Sequence, residues 1–161
     1  MKPAVPPTFS FLFRTDEGRI DRPTWWRGTM LLAGPLVLAT LGWIALAPWA
    51  HRSLDERTLI DLPSLAAYVY LLLYAFVILL IAISFYNLSA KRWRDRGRPA
   101  ALAGVLPLAL LFAGAAHWLV PRSEDMLPMW IALALDGLAL VVALWTAVEL
   151  GCLAGRPEER A

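Results

Sequence analysis

Four apolar runs of about 21–24 residues dominate the sequence, at Gly28–Ala50, Leu65–Leu88, Ala100–Val120 and Leu127–Leu150. At ~1.5 Å per residue, each is long enough as a helix to cross a ~30 Å hydrocarbon layer with modest tilt. They are too long and too apolar for ordinary soluble helices. Composition agrees. Hydrophobic residues make up 59% of the chain without counting glycine, above the ~45–50% of soluble domains. Charged residues, at 17%, fall below the usual ~25% and are bunched at intervals. The expected fold is all-α, an integral membrane bundle of four transmembrane helices. A polar leader (residues 1–27) precedes the spans, and a polar tail (151–161) follows. No signal peptide is expected, because the first apolar run starts only near Trp25, after a charged leader containing Pro3, Pro6 and Pro7.

The link between the second and third spans, Lys91–Pro99, reads KRWRDRGRP. Each Arg or Lys at the centre of a membrane helix costs roughly 2.5–3.5 kcal/mol, so the link lies outside the hydrocarbon. Counting Lys and Arg gives five in the leader, five in this link and two in the tail, against three in the other two links. Twelve against three predicts that both termini and KRWRDRGRP face the cytoplasm. Trp25, Trp26, Trp93 and Trp145 fall near that boundary, and Trp49, Trp118 and Trp130 near the opposite one. These are expected to form two aromatic belts. The cluster Phe9–Phe13 is too short to span and reads as an interfacial patch. Asp21 or Thr24 is placed to cap the first span, with Pro23 in its first turn.

Polar residues inside the spans are the next candidates. Asp136 lies nine residues into the fourth span, roughly 13 Å deep at the helical rise. Tyr74 and Thr40 fall at similar depth, and the three are expected to form one hydrogen-bonded layer. Lower down, Arg27, Asn87 and Glu149 share a level. Glu149 is expected to pair with Arg27, or with Lys91 or Arg92. A buried acid invites a proton-relay role. A protonated Asp136 bonding Tyr74 or Thr40 to hold helices together is the competing expectation, and the stronger one, since a relay needs a chain of groups.

Catalytic signatures are missing. His51 and His117 have no second His at ligand spacing and no Cys partner, and Cys152 is the single cysteine, so no zinc site or intrachain disulfide is expected. There is no nucleophile elbow, phosphate loop or dinucleotide fingerprint. The expectation is a non-enzyme with no catalytic, cofactor or metal residues. Gly34 with Gly42, and Gly151 with Gly155, offer small faces for helix contact. Pro35 is expected to kink the first span, and with Pro107 gives a faint transporter-like cue.

The first two spans run antiparallel, so GRIDR (Gly18–Arg22) and KRWRDRGRP emerge on one face. They bring together Arg19, Arg22, Arg27, Lys91, Arg92, Arg94, Arg96 and Arg98 with Asp21 and Asp95. Asp21 is expected to pair with the central arginines and Asp95 with Arg19 or Arg22, clipping leader to link. The remaining positive charge suits anionic lipid headgroups or a partner protein, at about 1 kcal/mol per basic residue near a charged surface. A formal net charge of +2 gives no reason to expect nucleic acid.

GRIDRPTWW followed after one hairpin by KRWRDRGRP resembles the bacterial inner-membrane family known as domain of unknown function 805. Gly18, Arg19, Ile20, Arg22 and Trp26 match its first motif, and Lys91, Arg92, Asp95, Gly97 and Arg98 its second. The resemblance covers about residues 9–150. It implies four helices and a bacterial inner membrane, but no established reaction. The His of the family's second motif is Arg94 here and its Ser is Pro99, which makes any activity carried by that His absent in this chain. The resulting expectation is an accessory, scaffold or assembly subunit of a membrane complex, or a homo-oligomer, with Arg19, Arg22, Lys91, Arg92, Arg94, Arg96 and Arg98 meeting the partner or lipid. The alternative is a small proton-linked transporter using Asp136.

Overall fold

A computed structural model describes residues 8–50, 61–120, 123 and 127–155. After a short helix α1 (Phe9–Phe13), the chain forms α2 (Arg22–Ala50), α3 (Leu62–Asp95), a 3-10 turn (Ala100–Gly104), α4 (Val105–Leu119) and α5 (Met129–Thr146). The last helix ends in a π-helical turn, Ala147–Cys152. Four helical stretches are long and apolar enough to cross a membrane: Arg22–Ala50, Leu62–Asp95, Ala100–Leu119 and Met129–Cys152. The protein is an all-α, multi-pass membrane protein, and no strand occurs among the described residues.

Helix ends depart from the hydropathy boundaries where local chemistry allows. The side chain of Asp21 accepts from Thr24 N at 3.1 Å, so α2 begins six residues before Gly28, with Pro23 in its first turn. The helix runs on through Pro35 and Pro48. Pro107 lies in the first turn of α4, where its missing N–H has no partner to lose, so it interrupts nothing. The largest departure is in α3. KRWRD is not a loop but the last turns of that helix, because no breaker precedes Gly97. There Gly97 adopts φ +67°, its N–H bonds to Arg94 O at 2.9 Å, and Arg98 N–H bonds to Trp93 O at 2.9 Å. That pair of bonds is a Schellman stop, which needs a left-handed residue.

The helices form two antiparallel hairpins, α2 with α3 and α4 with α5. In lipid no hydrophobic force drives helices together, so their contacts use small residues. Ala67 is fully buried, and Ala113, Ala116, Ala132 and Ala139 are buried on α4 and α5. Gly42 lies directly beneath the Tyr70 ring, whose hydroxyl donates to Ala39 O at 2.9 Å. Gly34, expected to share that face, has open space around it. Large apolar side chains point outward along the spans, with Leu72 the most exposed at 73%. At the far end Ser64 donates to Trp49 O at 2.9 Å and Tyr68 to Ala50 O at 3.1 Å, which closes the first hairpin. His51 lies outside the described residues.

Close approaches between the two hairpins concentrate at the opposite end, where α2 starts and α3 stops. Phe13, Ile20, Trp25, Leu88, Trp93 and Leu150 are all buried there in one cluster. Trp25 (2% exposed) and Trp93 (1%) therefore belong to a packed core and not to an aromatic belt. Trp25 Nε1 donates to Ser89 Oγ at 3.3 Å, and the Trp93 ring packs at a tilt against Trp145 of α5, with centroids 5.1 Å apart. At the far end Trp118 and Trp130 are exposed, as belt residues are.

Candidate functional site

The sequence motifs converge on this packed end, which we call the basic end. Residues three, four and seven apart share a helix face, so α3 presents its charges in two directions. Asn87, Lys91 and Arg94 form one face, and Arg92 and Arg96 another. The first holds the leader and the second holds the end of the chain's last helix.

On the leader side the acceptors are backbone carbonyls at the end of α1 and just past it. Lys91 is fully buried, and its ammonium donates to Leu12 O at 3.3 Å, to Asn87 O at 3.1 Å and to Thr15 O. The Phe11 ring lies 5.2 Å from it, within range for a cation–π contact. Asn87 donates to Phe13 O at 2.8 Å. Arg94 donates to Asp16 O and, at 2.8 Å, to the Asp16 carboxylate. That hydrogen bond from Arg94 holds the Asp16 carboxyl below its ordinary value. The chain then turns at Gly18, with φ +96°. A β-carbon there would stand 2.9 Å from the Phe11 ring, so only glycine fits both the backbone and the space.

On the other side five consecutive carbonyls each receive a side-chain donor. Arg92 Nε donates to Leu150 O at 3.0 Å, and Trp26 Nε1 to Gly151 O at 3.0 Å. Arg22 donates to Cys152 O at 3.1 Å, Arg92 again to Leu153 O at 2.6 Å, and Arg96 to Ala154 O at 2.6 Å. The last carbonyls of a helix have no partner within it and carry partial negative charge. Leu150 and Gly151 are buried, so their carbonyls have little water to turn to, whereas Cys152, Leu153 and Ala154 are exposed. The cations supply both the donors and the opposite charge. Gly151 lets the strap pass close to α2, since a β-carbon would meet the Trp26 indole at 2.7 Å.

Each expected site residue can now be placed. Lys91 and Arg92 are buried, and Arg94 and Arg96 spend their donors inside the protein, so these four do not form an outward cluster. Arg19, Arg22, Arg27 and Arg98 are exposed. Asp95 pairs with Arg92 on its own helix, and Asp21 caps α2. Glu149 binds Arg96 at 2.8 Å instead of Arg27, Lys91 or Arg92. The reason is reach: Arg96 caps α3 and extends across to the π-helical turn. Arg27, Asn87 and Glu149 therefore share a level without sharing a contact.

The deeper layer divides as well. Thr40 and Tyr74 are hydrogen-bonded at 3.2 Å, with Tyr74 stacked on Trp43. Asp136 lies apart from them, its carboxylate 2.8 Å from Nε2 of His117 on α4. Both side chains of that pair are nearly half exposed along the span. Depth counting hid this partnership, because it measures each helix from its own end and carries no information on how α4 is staggered against α5.

Lys91, Arg92, Arg94 and Arg96 donate to backbone carbonyls and carboxylates, although Arg96 Nε is buried without a hydrogen-bond partner among the described residues. No group of three or more His, Cys, Asp or Glu is placed to hold a metal among the described residues. The residues that sequence reasoning missed are Thr15 and Asp16, which act through carbonyls that every residue has, and the pairing of Trp26 with Gly151.

No curated protein and no solved structure matches the chain. Residues 13–161 match the family described as protein of unknown function (DUF805), a stretch that takes in the leader turn, all four spans and the tail. The chain belongs to that family.

Proposed function

We propose that the protein is a non-enzymatic accessory or scaffold subunit of a membrane complex in a bacterial inner membrane, with its basic end in the cytoplasm. One observation carries this reading: the two hairpins are pinned together at the basic end, while the spans beyond it keep their large side chains turned outward. A rigid base with open spans suits a protein that receives helices from another subunit. Lys91, Arg92, Arg94 and Arg96 serve the base, so partner or headgroup contact falls to the exposed Arg19, Arg22 and Arg98. Twelve basic residues at this end against three at the other support the orientation.

The test is photo-crosslinking in native membranes from one outward residue on each span: Leu38, Leu72, Leu111 and Leu140. A discrete protein adduct from one or two positions is expected. Lipid adducts alone from all four would refute the reading.

A second reading has its own observation, the Asp136–His117 contact inside the spans. Two titratable groups in hydrogen-bond reach can pass a proton between them. If the protein is a proton-linked transporter, Asp136→Asn in liposomes abolishes flux while leaving helix content unchanged. Absence of flux in the parent protein excludes it.

A further inference from the structure

Beside the leader clasp, α1 and α3 enclose a groove of about 420 Å³ lined by Phe9, Phe13, Arg14, Leu80, Ile83, Ser84 and Asn87. Its α3 wall repeats at three, four and seven residues, one continuous helix face. From Asn87 to Leu80 that face descends about 10 Å at the helical rise. Asn87 is tied to the leader through Phe13 O, which sets the upper end at the basic surface. Polar groups collect there, and Leu80, Ile83 and Phe9 form the apolar remainder, each about half exposed or more. Arg14 follows α1, is exposed, and has no side-chain partner among the described residues. Among the lining residues Arg14 is the cation, and the cations of the KRWRD turns nearby are tied down.

We infer that the groove binds one anionic phospholipid, its phosphate on Arg14 and the upper part of an acyl chain along Leu80 and Ile83. A flexible chain with a charged head matches the groove's gradient from Arg14, Ser84 and Asn87 at the top to Leu80, Ile83 and Phe9 below. Arginine binds phosphate through a planar fork, which adds direction to charge. The site depends only on the protein spanning a membrane and is independent of whether its spans receive another subunit.

Native mass spectrometry of the full chain in detergent tests the inference, titrating phosphatidylglycerol and phosphatidylcholine of identical acyl chains. Phosphatidylglycerol is expected to bind about five- to tenfold more tightly, the effect of one basic residue at a charged headgroup. Arg14→Gln should erase that preference yet retain phosphatidylcholine binding. Ile83→Trp, which fills the groove, should weaken both lipids, and Arg27→Gln, an exposed cation on α2, should change neither. Equal losses in Arg14→Gln and Arg27→Gln would mean diffuse surface charge and overturn the site. So would equal affinity of the parent for the two lipids, an Ile83→Trp variant that binds normally, or displacement of phosphatidylglycerol by inorganic phosphate alone.

Discussion

Replacing Arg92 by methionine probes the strap that closes the basic end. The side chain is fully buried, bonds Leu150 O and Leu153 O, and pairs with Asp95, itself 6% exposed. Methionine keeps much of the stem volume but removes every donor. Deleting one partner of a buried charge pair costs about 3–5 kcal/mol. The two carbonyl bonds, at about 1.5–3 kcal/mol each when charge-assisted, overlap with that figure and do not add to it. For a chain of this size the loss corresponds to a fall in Tm of ~6–20 °C, at about 2–4 °C per kcal/mol. The effect should be local first. Amides of Leu150–Ala154 are expected to exchange faster by hydrogen–deuterium exchange in detergent, with the far ends of the spans unchanged. Arg92→Lys keeps the charge without the fork and should fall between parent and methionine variant. Asp95→Asn added to the methionine variant should recover part of the loss, because it removes the carboxylate that lost its partner. If Arg92→Met melts within about 2 °C of the parent, with Leu150–Ala154 equally protected, the carbonyls are not held as described.

Three further outcomes follow. Gly97→Ala forces a left-handed residue into the Schellman stop and should cost about 1–2 kcal/mol in thermal unfolding, whereas Gly18→Ala meets the Phe11 ring as well and should cost more. The Asp16 carboxyl is held below the ordinary carboxylate range by its hydrogen bond from Arg94. Its contribution is therefore complete above pH ~4 and fades as pH falls further. Exchange of the leader amides should rise below that point, and Asp16→Asn should flatten the dependence. Thr40→Val, which breaks the bond to Tyr74, should lower stability by only ~0.6 kcal/mol, the average for such bonds in membrane helices, read by reversible unfolding in micelles.

The four spans were legible because hydropathy is a property of residues taken one at a time. Thr40 and Tyr74 were also within reach of depth counting, since they sit on consecutive helices of a hairpin whose stagger is held by Ser64 and Tyr68. The basic motif was misread in one respect. Its charges suggested an outward surface, but Lys91 and Arg92 turn inward to backbone carbonyls. Composition cannot reveal an acceptor that every residue carries. The pairing of Glu149 with Arg96 was out of reach for a related reason. It depends on a helical continuation through KRWRD and on a π-helical turn at the other end, both set by contacts and not by propensity.

The two motifs are better understood as helix termination than as charge display. Membrane helices satisfy their backbone internally only in mid-span, and at each end four carbonyls are left over. In most proteins water takes them. Here the end of α1 and the π-helical turn are drawn against α3 around the buried Phe13 and Leu150, and side chains of α2 and α3 supply the donors. Lysine and arginine are the donors long enough to cross from one helix to the next, and their charge opposes the negative end of each dipole. This accounts for Gly18, Ile20, Arg22, Trp26, Lys91, Arg92, Asp95 and Gly97 together, as turn, core, donor, donor, donor, donor, counter-charge and stop. It also gives Arg94 a role that rests on geometry alone. The requirement there is a donor that reaches the Asp16 carbonyl and carboxylate, and arginine meets it without any proton chemistry. Function is then to be sought where the cations are not already engaged, at Arg14 beside its groove and along the outward faces of the spans.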